Sequence, residues 1–242
     1  NRLYENTRWS QRANMLSIPT DCPQREKAGW TGDIMIYART ALQNADNTSF
    51  LARWLQNVSC DQDERGSVPI VVPCDGPYPM YAKFLNKMDG IFEKGKGTSS
   101  GWGDAAIMVP YQMYQITGNT RVLEDQYDSM KKWCDYIITK ARTKRNKKLR
   151  LPKEIDQYLW NTGFHFGEWL IPSCSKEGYG DKEGMKKTVI GTSKYTAPIF
   201  GWNSVHQMSE VAELLGRKED ARHYGEIADK MADAFTRGVI DE

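Results

Sequence analysis

The sequence lacks several features that define common classes of protein. Its 242 residues contain five cysteines, an odd number, and no two of them form a Cys-X-X-Cys pair. The spacing therefore predicts neither a disulfide framework nor a zinc site, and we expect no metal and no cofactor. A net charge of +2, from 33 basic and 31 acidic residues, argues against a general nucleic-acid-binding protein.

Targeting and membrane signals are also missing. No apolar run reaches the length that spans a membrane, so no membrane partner is expected. No signal peptide is visible, but the first residue is Asn rather than Met, which is consistent with a trimmed chain. The compartment is therefore left open.

Aromatic residues, in contrast, are abundant. The chain has 8 Trp and 12 Tyr. These side chains offer a flat apolar face and a polar edge, which suits the walls of a sugar-binding pocket. Dense aromatic packing between helices explains the same composition equally well.

Apolar residues at helical spacing predict an all-α protein. The predicted helices span residues 1–15, 34–45, 49–61, 104–117, 120–140, 196–215 and 218–236. Residues 62–101 and 141–194 are predicted to be largely irregular, with one short strand at 67–73. Paired helices joined alternately by short turns and long loops indicate a helical-hairpin barrel. A helical repeat array would also pair its helices, but the sequence has no fixed repeat period.

Residues 18–33 carry the most informative cluster of functional side chains. It contains Asp21, Arg25, Glu26, Trp30 and Asp33. Glycosidases use paired carboxyl groups across the scissile bond, and further carboxylates bind sugar hydroxyls through charge-assisted hydrogen bonds. The alternative is structural, because Asp33 could simply cap the next helix while Arg25 and Glu26 are surface charges.

The same segment resembles a known family. Residues 21–26, Asp-Cys-Pro-Gln-Arg-Glu, and residues 29–33, Gly-Trp-Thr-Gly-Asp, are similar to the motif of glycoside hydrolase family 78, the bacterial α-L-rhamnosidases. Two further landmarks follow in the expected order, Gly-Trp-Gly-Asp-Ala-Ala at 101–106 and Phe-Gly-Glu-Trp-Leu at 166–170. In the second, Glu168 stands where the family pattern has Asp.

The resemblance implies an (α/α)6 barrel that hydrolyses terminal α-L-rhamnosides with inversion. It assigns Glu26 as the general acid, and it implies that Asp21 and Asp33 bind sugar hydroxyls. Arg25 lies beside the acid and would bind a hydroxyl or tune the charge of its neighbours. Further pocket residues implied by the resemblance are Trp30, Trp102, Asp104 and Trp169. A rhamnose-containing glycan or glycoside is the expected partner.

The length of the chain suggests that the barrel is incomplete. Six hairpins require twelve helices, and seven are predicted, so residues 1–242 are interpreted as one partial barrel domain of a longer parent chain. The resemblance also implies that the catalytic base lies beyond residue 242. Two alternatives remain open: an inactive or non-catalytic carbohydrate-binding helical domain, and another α/α-barrel carbohydrate enzyme such as a glycuronyl hydrolase.

Overall fold

A computed structural model describes residues 1–74, 97–146, 149–168, 171 and 182–240. Trp169, one of the predicted pocket residues, lies outside these residues. The helices are α1 (Arg2–Asn14), α2 (Thr31–Asn44), α3 (Thr48–Asp61), α4 (Ala105–Thr117), α5 (Arg121–Thr143), α6 (Lys153–Asp156), α7 (Lys182–Leu214) and α8 (Lys218–Phe235), followed by a π-helical turn (Thr236–Ile240). The all-α prediction is confirmed. No helix in the described ranges has the length and apolarity needed to cross a membrane.

Helix α5 shows how the apolar pattern produces the fold. Leu123, Tyr127, Met130, Trp133 and Ile137 recur every three or four residues, and all of them are buried. This spacing places them on one face of the helix, so that face packs inward while the polar face meets water. Residues on the inward face contribute to the main core of the molecule.

The helices pack as successive neighbours around this core. Helix α2 packs on α4, α4 packs on both α5 and α7, and α7 forms a long antiparallel contact with α8. Helix α3 packs against α4 and α5. Gly118 ends α4 in the left-handed conformation (φ 69°), which an ordinary side chain disfavours. The short turn that follows leads directly into α5, as expected for a helical hairpin.

Two predicted helices start three or more residues earlier in the structure than in the sequence prediction. Helix α7 begins at Lys182 rather than residue 196. The sequence did not predict this first part because residues 182–195 are lysine-rich, include Gly184 and Gly191, and lack a clear apolar stripe. Helix α2 begins at Thr31 rather than residue 34. Its first turn is fixed by a tertiary contact, since the Thr31 amide and hydroxyl both donate to the Ile70 carbonyl.

The predicted strand at 67–73 becomes a single β-bridge that supports the loop before α2. Trp30 pairs with Val71, and the Val72 amide donates to the Gly29 carbonyl at 2.8 Å. The two backbones approach so closely at Gly29 that a Cβ atom there would overlap the Val72 carbonyl oxygen. The loop therefore requires glycine at this position for a steric reason.

Gly29→Ala is expected to destabilise the fold by about 1–3 kcal/mol, because the added methyl group forces the loop away from Val72. Gly191→Ala is a matched control, since this glycine lies inside α7 with open space around it. The control is expected to raise stability by about 0.4–1 kcal/mol. Chemical denaturation of both variants measures the difference, and a Gly29→Ala protein as stable as the wild type would contradict the close approach.

Candidate active site

The loop between α1 and α2 is closed at its base by Asp21. The Asp21 amide donates to the Ala28 carbonyl at 3.1 Å, and the Ala28 amide donates back to Asp21 Oδ1 at 3.0 Å. Inside this closed loop, the Glu26 amide donates to Cys22 Sγ at 3.2 Å. These bonds give residues 21–28 a defined shape that presents the Glu26 side chain.

Both carboxylate oxygens of Glu26 accept hydrogen bonds. Trp30 Nε1 donates to Oε2 at 2.9 Å, and Arg25 Nη2 donates to Oε1 at 3.1 Å. The Glu26 side chain is 23% exposed, whereas that of Arg25 is 74% exposed. Glu26 is therefore held on one side by a partly buried indole, while its cationic partner reaches in from solvent.

Asp33 lies in the first turn of α2, two residues after the start of the helix, and the helix N-cap is Trp30. The pKa of Asp33 is raised to about 6, first by partial desolvation and then by the negative charges of Asp21 and Glu26, while a hydrogen bond to its own backbone amide acts against this increase. Although Asp33 remains accessible to water, the surrounding protein and the two carboxylates limit its solvation. The three acidic residues are thus close enough to influence one another.

A cavity of about 950 Å³ opens beside this loop. Asp21, Asp33, Trp102 and Glu168 are among the residues that line it. This volume lies within the range of small-molecule binding pockets. Arg25, Glu26 and Trp30, which were also predicted to belong to the site, are not among the described residues that line this cavity.

Aromatic rings form one side of the site. The Trp102 indole lies directly on Gly32, where a Cβ atom would approach Trp102 Nε1 to 2.7 Å. Phe166 packs on Trp102 with ring centroids 4.4 Å apart, and it contacts Trp30 edge-on at 6.1 Å. Trp30, Phe166 and Trp102 therefore form one aromatic surface. It extends from Trp30, the hydrogen-bond partner of Glu26, to Gly32 at the start of α2.

Residues 1–242 match the family model described as the bacterial alpha-L-rhamnosidase 6 hairpin glycosidase domain. The chain belongs to this family. An alpha-L-rhamnosidase of Alteromonas sp. (strain LOR) is 32% identical over 243 residues, with 100% of this chain and 22% of that protein covered. One of Formosa agariphila is 33% identical over 236 residues, covering 97% of this chain and 21% of that protein.

Solved rhamnosidase structures share the same fold. The native enzyme of Aspergillus terreus superposes with a TM-score of 0.74 at 30% identity, over 98% of this chain and 23% of that one. The Streptomyces avermitilis enzyme, complexed with L-rhamnose, gives 0.72 at 28% identity, over 98% and 18%. These similarities confirm the prediction of a helical-hairpin barrel. The chain spans about a fifth of the length of the relatives it matches.

In this rhamnosidase-family chain, Asp104 lies behind the cavity rather than at its surface. Its side chain is fully buried and accepts hydrogen bonds from the Gly101 amide, from Trp133 Nε1 and from the Ser204 hydroxyl. Burial raises the pKa of Asp104, and these three donors act against that increase. The structure thus brings Asp21, Asp33 and Trp102 to one cavity, but it does not bring Asp104 to the cavity surface.

His165 is also part of the interior. Its Nδ1 accepts from the Ser100 amide at 3.1 Å, while Nε2 lies 3.2 Å from the Thr162 carbonyl, which fits a proton on Nε2. Burial lowers the pKa of His165 to about 4, so the ring is neutral at physiological pH. Within the described ranges, no three His, Cys, Asp or Glu residues could hold a metal ion.

Sequence reasoning missed two parts of the site. Phe166 is not among the predicted site residues, although its ring joins Trp30 to Trp102. Polar residues of α1, including Asn6 and Ser10, line the cavity as well. Nothing in the sequence around α1 resembles a binding motif, so this wall is identified only by tertiary contacts such as the hydrogen bond from Gln11 Nε2 to the Ala41 carbonyl in α2.

Proposed function

We propose that the protein hydrolyses terminal α-L-rhamnosides, with Glu26 as the general acid. The observation that carries this proposal is the grouping of three carboxylates, Asp21, Glu26 and Asp33, in one closed loop and the first turn of α2. Relatives over the whole chain are named alpha-L-rhamnosidases, and one solved relative holds L-rhamnose. Glycosidases require such carboxylates around the scissile bond.

The surroundings of Glu26 stabilise the carboxylate that proton donation leaves behind. In the reaction, the protonated carboxyl group donates to the glycosidic oxygen as the bond to the anomeric carbon breaks. The carboxylate that results is stabilised by Trp30 Nε1 and by the Arg25 guanidinium, which contact its two oxygens. Arg25 is largely exposed, so it can move aside when substrate approaches without disturbing the buried side of Glu26.

The remaining residues bind the sugar. Asp21 and Asp33 line the cavity and accept hydrogen bonds from rhamnose hydroxyl groups. Trp102 offers an apolar face to the C–H groups and methyl group of rhamnose, and Trp30 extends the same surface towards Glu26. This arrangement explains why the acid and the sugar-binding carboxylates occur in a single short segment.

We further propose that the reaction proceeds with inversion and that the water-activating carboxylate comes from outside residues 1–242. An inverting pair of carboxyl groups is separated by about 6.5–9.5 Å to leave room for water. Glu168 also lines the cavity, but its position does not correspond to the base implied by the family resemblance. The chain thus contributes the acid and the sugar-binding residues of the site.

Proton NMR during the first minutes of hydrolysis tests both the substrate and the stereochemistry. The complete natural protein is expected to release β-L-rhamnose first from p-nitrophenyl α-L-rhamnoside, before mutarotation mixes the anomers. Free rhamnose under the same conditions gives the mutarotation control. Initial release of the α anomer would contradict inversion. Binding of L-rhamnose without hydrolysis would favour a non-catalytic carbohydrate-binding domain, and cleavage only of unsaturated glucuronyl substrates would favour a glycuronyl hydrolase.

A further inference from the structure

A single buried carboxylate joins three distant parts of the fold. Asp104 Oδ2 accepts from the Gly101 amide at 2.6 Å, while Oδ1 accepts from Ser204 Oγ at 2.6 Å and from Trp133 Nε1 at 3.0 Å. Ser204 belongs to α7 and Trp133 to α5, whereas Asp104 directly precedes α4. Such a fully satisfied buried network fixes its members rigidly, because any movement leaves a polar group without a partner.

The turn that Asp104 holds also carries Trp102. Residues 99–103 form a tight turn in which the Trp102 and Gly103 amides donate to the Ser99 carbonyl. Gly101 has a positive φ of 85°, a conformation that few other residues adopt. At Gly103, the Trp133 ring packs so closely that a Cβ atom would overlap it. Asp104 thus binds the turn on one side and the ring that supports the turn on the other.

The indole of Trp102 is placed by this turn beside the candidate sugar site. It lies on Gly32, next in sequence to Asp33, and against Phe166. Trp102 and Asp33 both line the cavity, whereas Asp104 has no exposed surface. Any effect of Asp104 on a bound sugar must therefore pass through the turn and the indole.

We infer that Asp104 is a positioning residue that fixes the Trp102 indole at the cavity wall beside Asp33, without touching the substrate. The role in sugar binding rests on the proposed function, whereas the anchoring of Trp102 is a property of the free protein. Asp104 acts as an acceptor towards all three partners, which a carboxylate provides and an amide cannot.

Asp104→Asn tests this hydrogen-bond pattern with a side chain of nearly the same size and shape. An asparagine amide must direct its NH2 group either at the Gly101 amide or towards Trp133 Nε1 and Ser204. The Ser204 hydroxyl can turn to accept a hydrogen bond, but the Gly101 and Trp133 groups are donors only. One donor therefore faces another donor in either orientation, and the turn that carries Trp102 must shift.

The first measurement follows the indole without any ligand. The complete natural protein is labelled with 5-fluorotryptophan, and the Trp102 fluorine resonance is assigned with Trp102→Phe. Asp104→Asn is expected to shift or broaden this resonance, while the exposed Trp9 on α1 serves as an internal reference. An unchanged Trp102 resonance in the Asp104→Asn protein would overturn the inference.

The second measurement is a double-mutant cycle on L-rhamnose affinity, determined by calorimetry. Asp104→Asn alone is expected to weaken binding about tenfold, equivalent to roughly 1.4 kcal/mol. In a Trp102→Ala background the same change is expected to alter affinity less than about twofold, because the group that transmits the effect is gone. Equal losses in both backgrounds would show that Asp104 does not act through Trp102.

Ser204→Ala provides a milder variant if Asp104→Asn does not fold. It removes one donor to Asp104 and is expected to move the Trp102 resonance in the same way by a smaller amount. The matched control is Ser129→Ala, since the buried Ser129 hydroxyl has no hydrogen-bond partner among the described residues. An equal effect of the two serine variants would count against the inference. Absence of rhamnose binding by the wild type would instead refute the proposed function and leave the fluorine result as the test of anchoring.

Discussion

Glu26→Gln is expected to lower kcat by about 10²–10⁴-fold on alkyl rhamnosides, whose leaving groups need protonation. The loss on p-nitrophenyl α-L-rhamnoside is expected to be much smaller, because p-nitrophenolate leaves without a proton. The fold should be retained. The glutamine carbonyl can still accept from Trp30 Nε1, and its amide then faces the exposed Arg25, which can move away.

The comparison between the two substrates is what distinguishes an acid from a binding residue. Glu64→Gln is a suitable control, since Glu64 is an exposed glutamate in a turn after α3. This control should leave both rates unchanged. Losses of the same size on both substrates in the Glu26→Gln protein would contradict the general-acid role, because a binding residue affects each substrate alike.

Asp33→Asn is expected to weaken L-rhamnose binding by about 1.5–3 kcal/mol while increasing the stability of the free protein at pH 7. The binding loss follows from replacing a charged acceptor of sugar hydroxyls by a neutral one. The stability gain follows from the environment of Asp33, where partial desolvation and two neighbouring carboxylates oppose its negative charge. Asp21→Asn is expected to weaken binding to a similar extent.

The pKa of Asp33 determines the direction in which folding stability changes with pH. The folded pKa of Asp33, about 6, lies above its unfolded value of 3.8, so the folded state binds more protons between these values. Stability contributed by this group is therefore present below about pH 4 and is lost as the pH rises through 6. The stability of the Asp33→Asn protein relative to the wild type should therefore increase as the pH rises from about 4 to about 6. The rhamnose affinity of the wild type should fall as Asp33 is protonated below pH 6.

Melting temperatures and rhamnose affinity of the same variants, measured from pH 4 to pH 8, check this prediction. Asp46→Asn is a control whose effect on stability is expected to be the opposite of that of Asp33→Asn. The Asp46 carboxylate accepts a hydrogen bond from Thr48 at the start of α3, and its pKa is lowered. This variant should be slightly destabilised at pH 7. If Asp33 served only as a helix cap, Asp33→Asn would lower stability and leave rhamnose binding intact.

The part of the candidate site whose residues lie close together in the sequence could be predicted from the sequence. Asp21, Glu26 and Asp33 lie within thirteen residues, and one proline and two glycines between them restrict the path of the backbone. The same reasoning located helices such as α5, whose apolar residues follow one face. The first prediction rests on residues clustered in the sequence, and the second rests on the helical spacing of apolar residues.

The parts that were not predicted depend on contacts between distant residues. The family resemblance implies that Asp104 is a pocket residue, but its partners Trp133 and Ser204 are 29 and 100 residues away, and no local pattern indicates that they converge. The first half of α7 was missed for a related reason. It has glycines and many lysines, and it lacks the apolar stripe from which helices are predicted.

The most direct test of the central proposal is a crystal structure of the complete natural protein with L-rhamnose bound. We predict one sugar in the cavity, with hydroxyl groups within about 3.2 Å of the Asp21 and Asp33 carboxylates. The Trp102 indole should lie against the sugar, and the Glu26 carboxyl group should be directed at the anomeric oxygen in place of its contact with Arg25. Rhamnose bound elsewhere, or bound here with Glu26 turned away from the anomeric centre, would contradict the proposal.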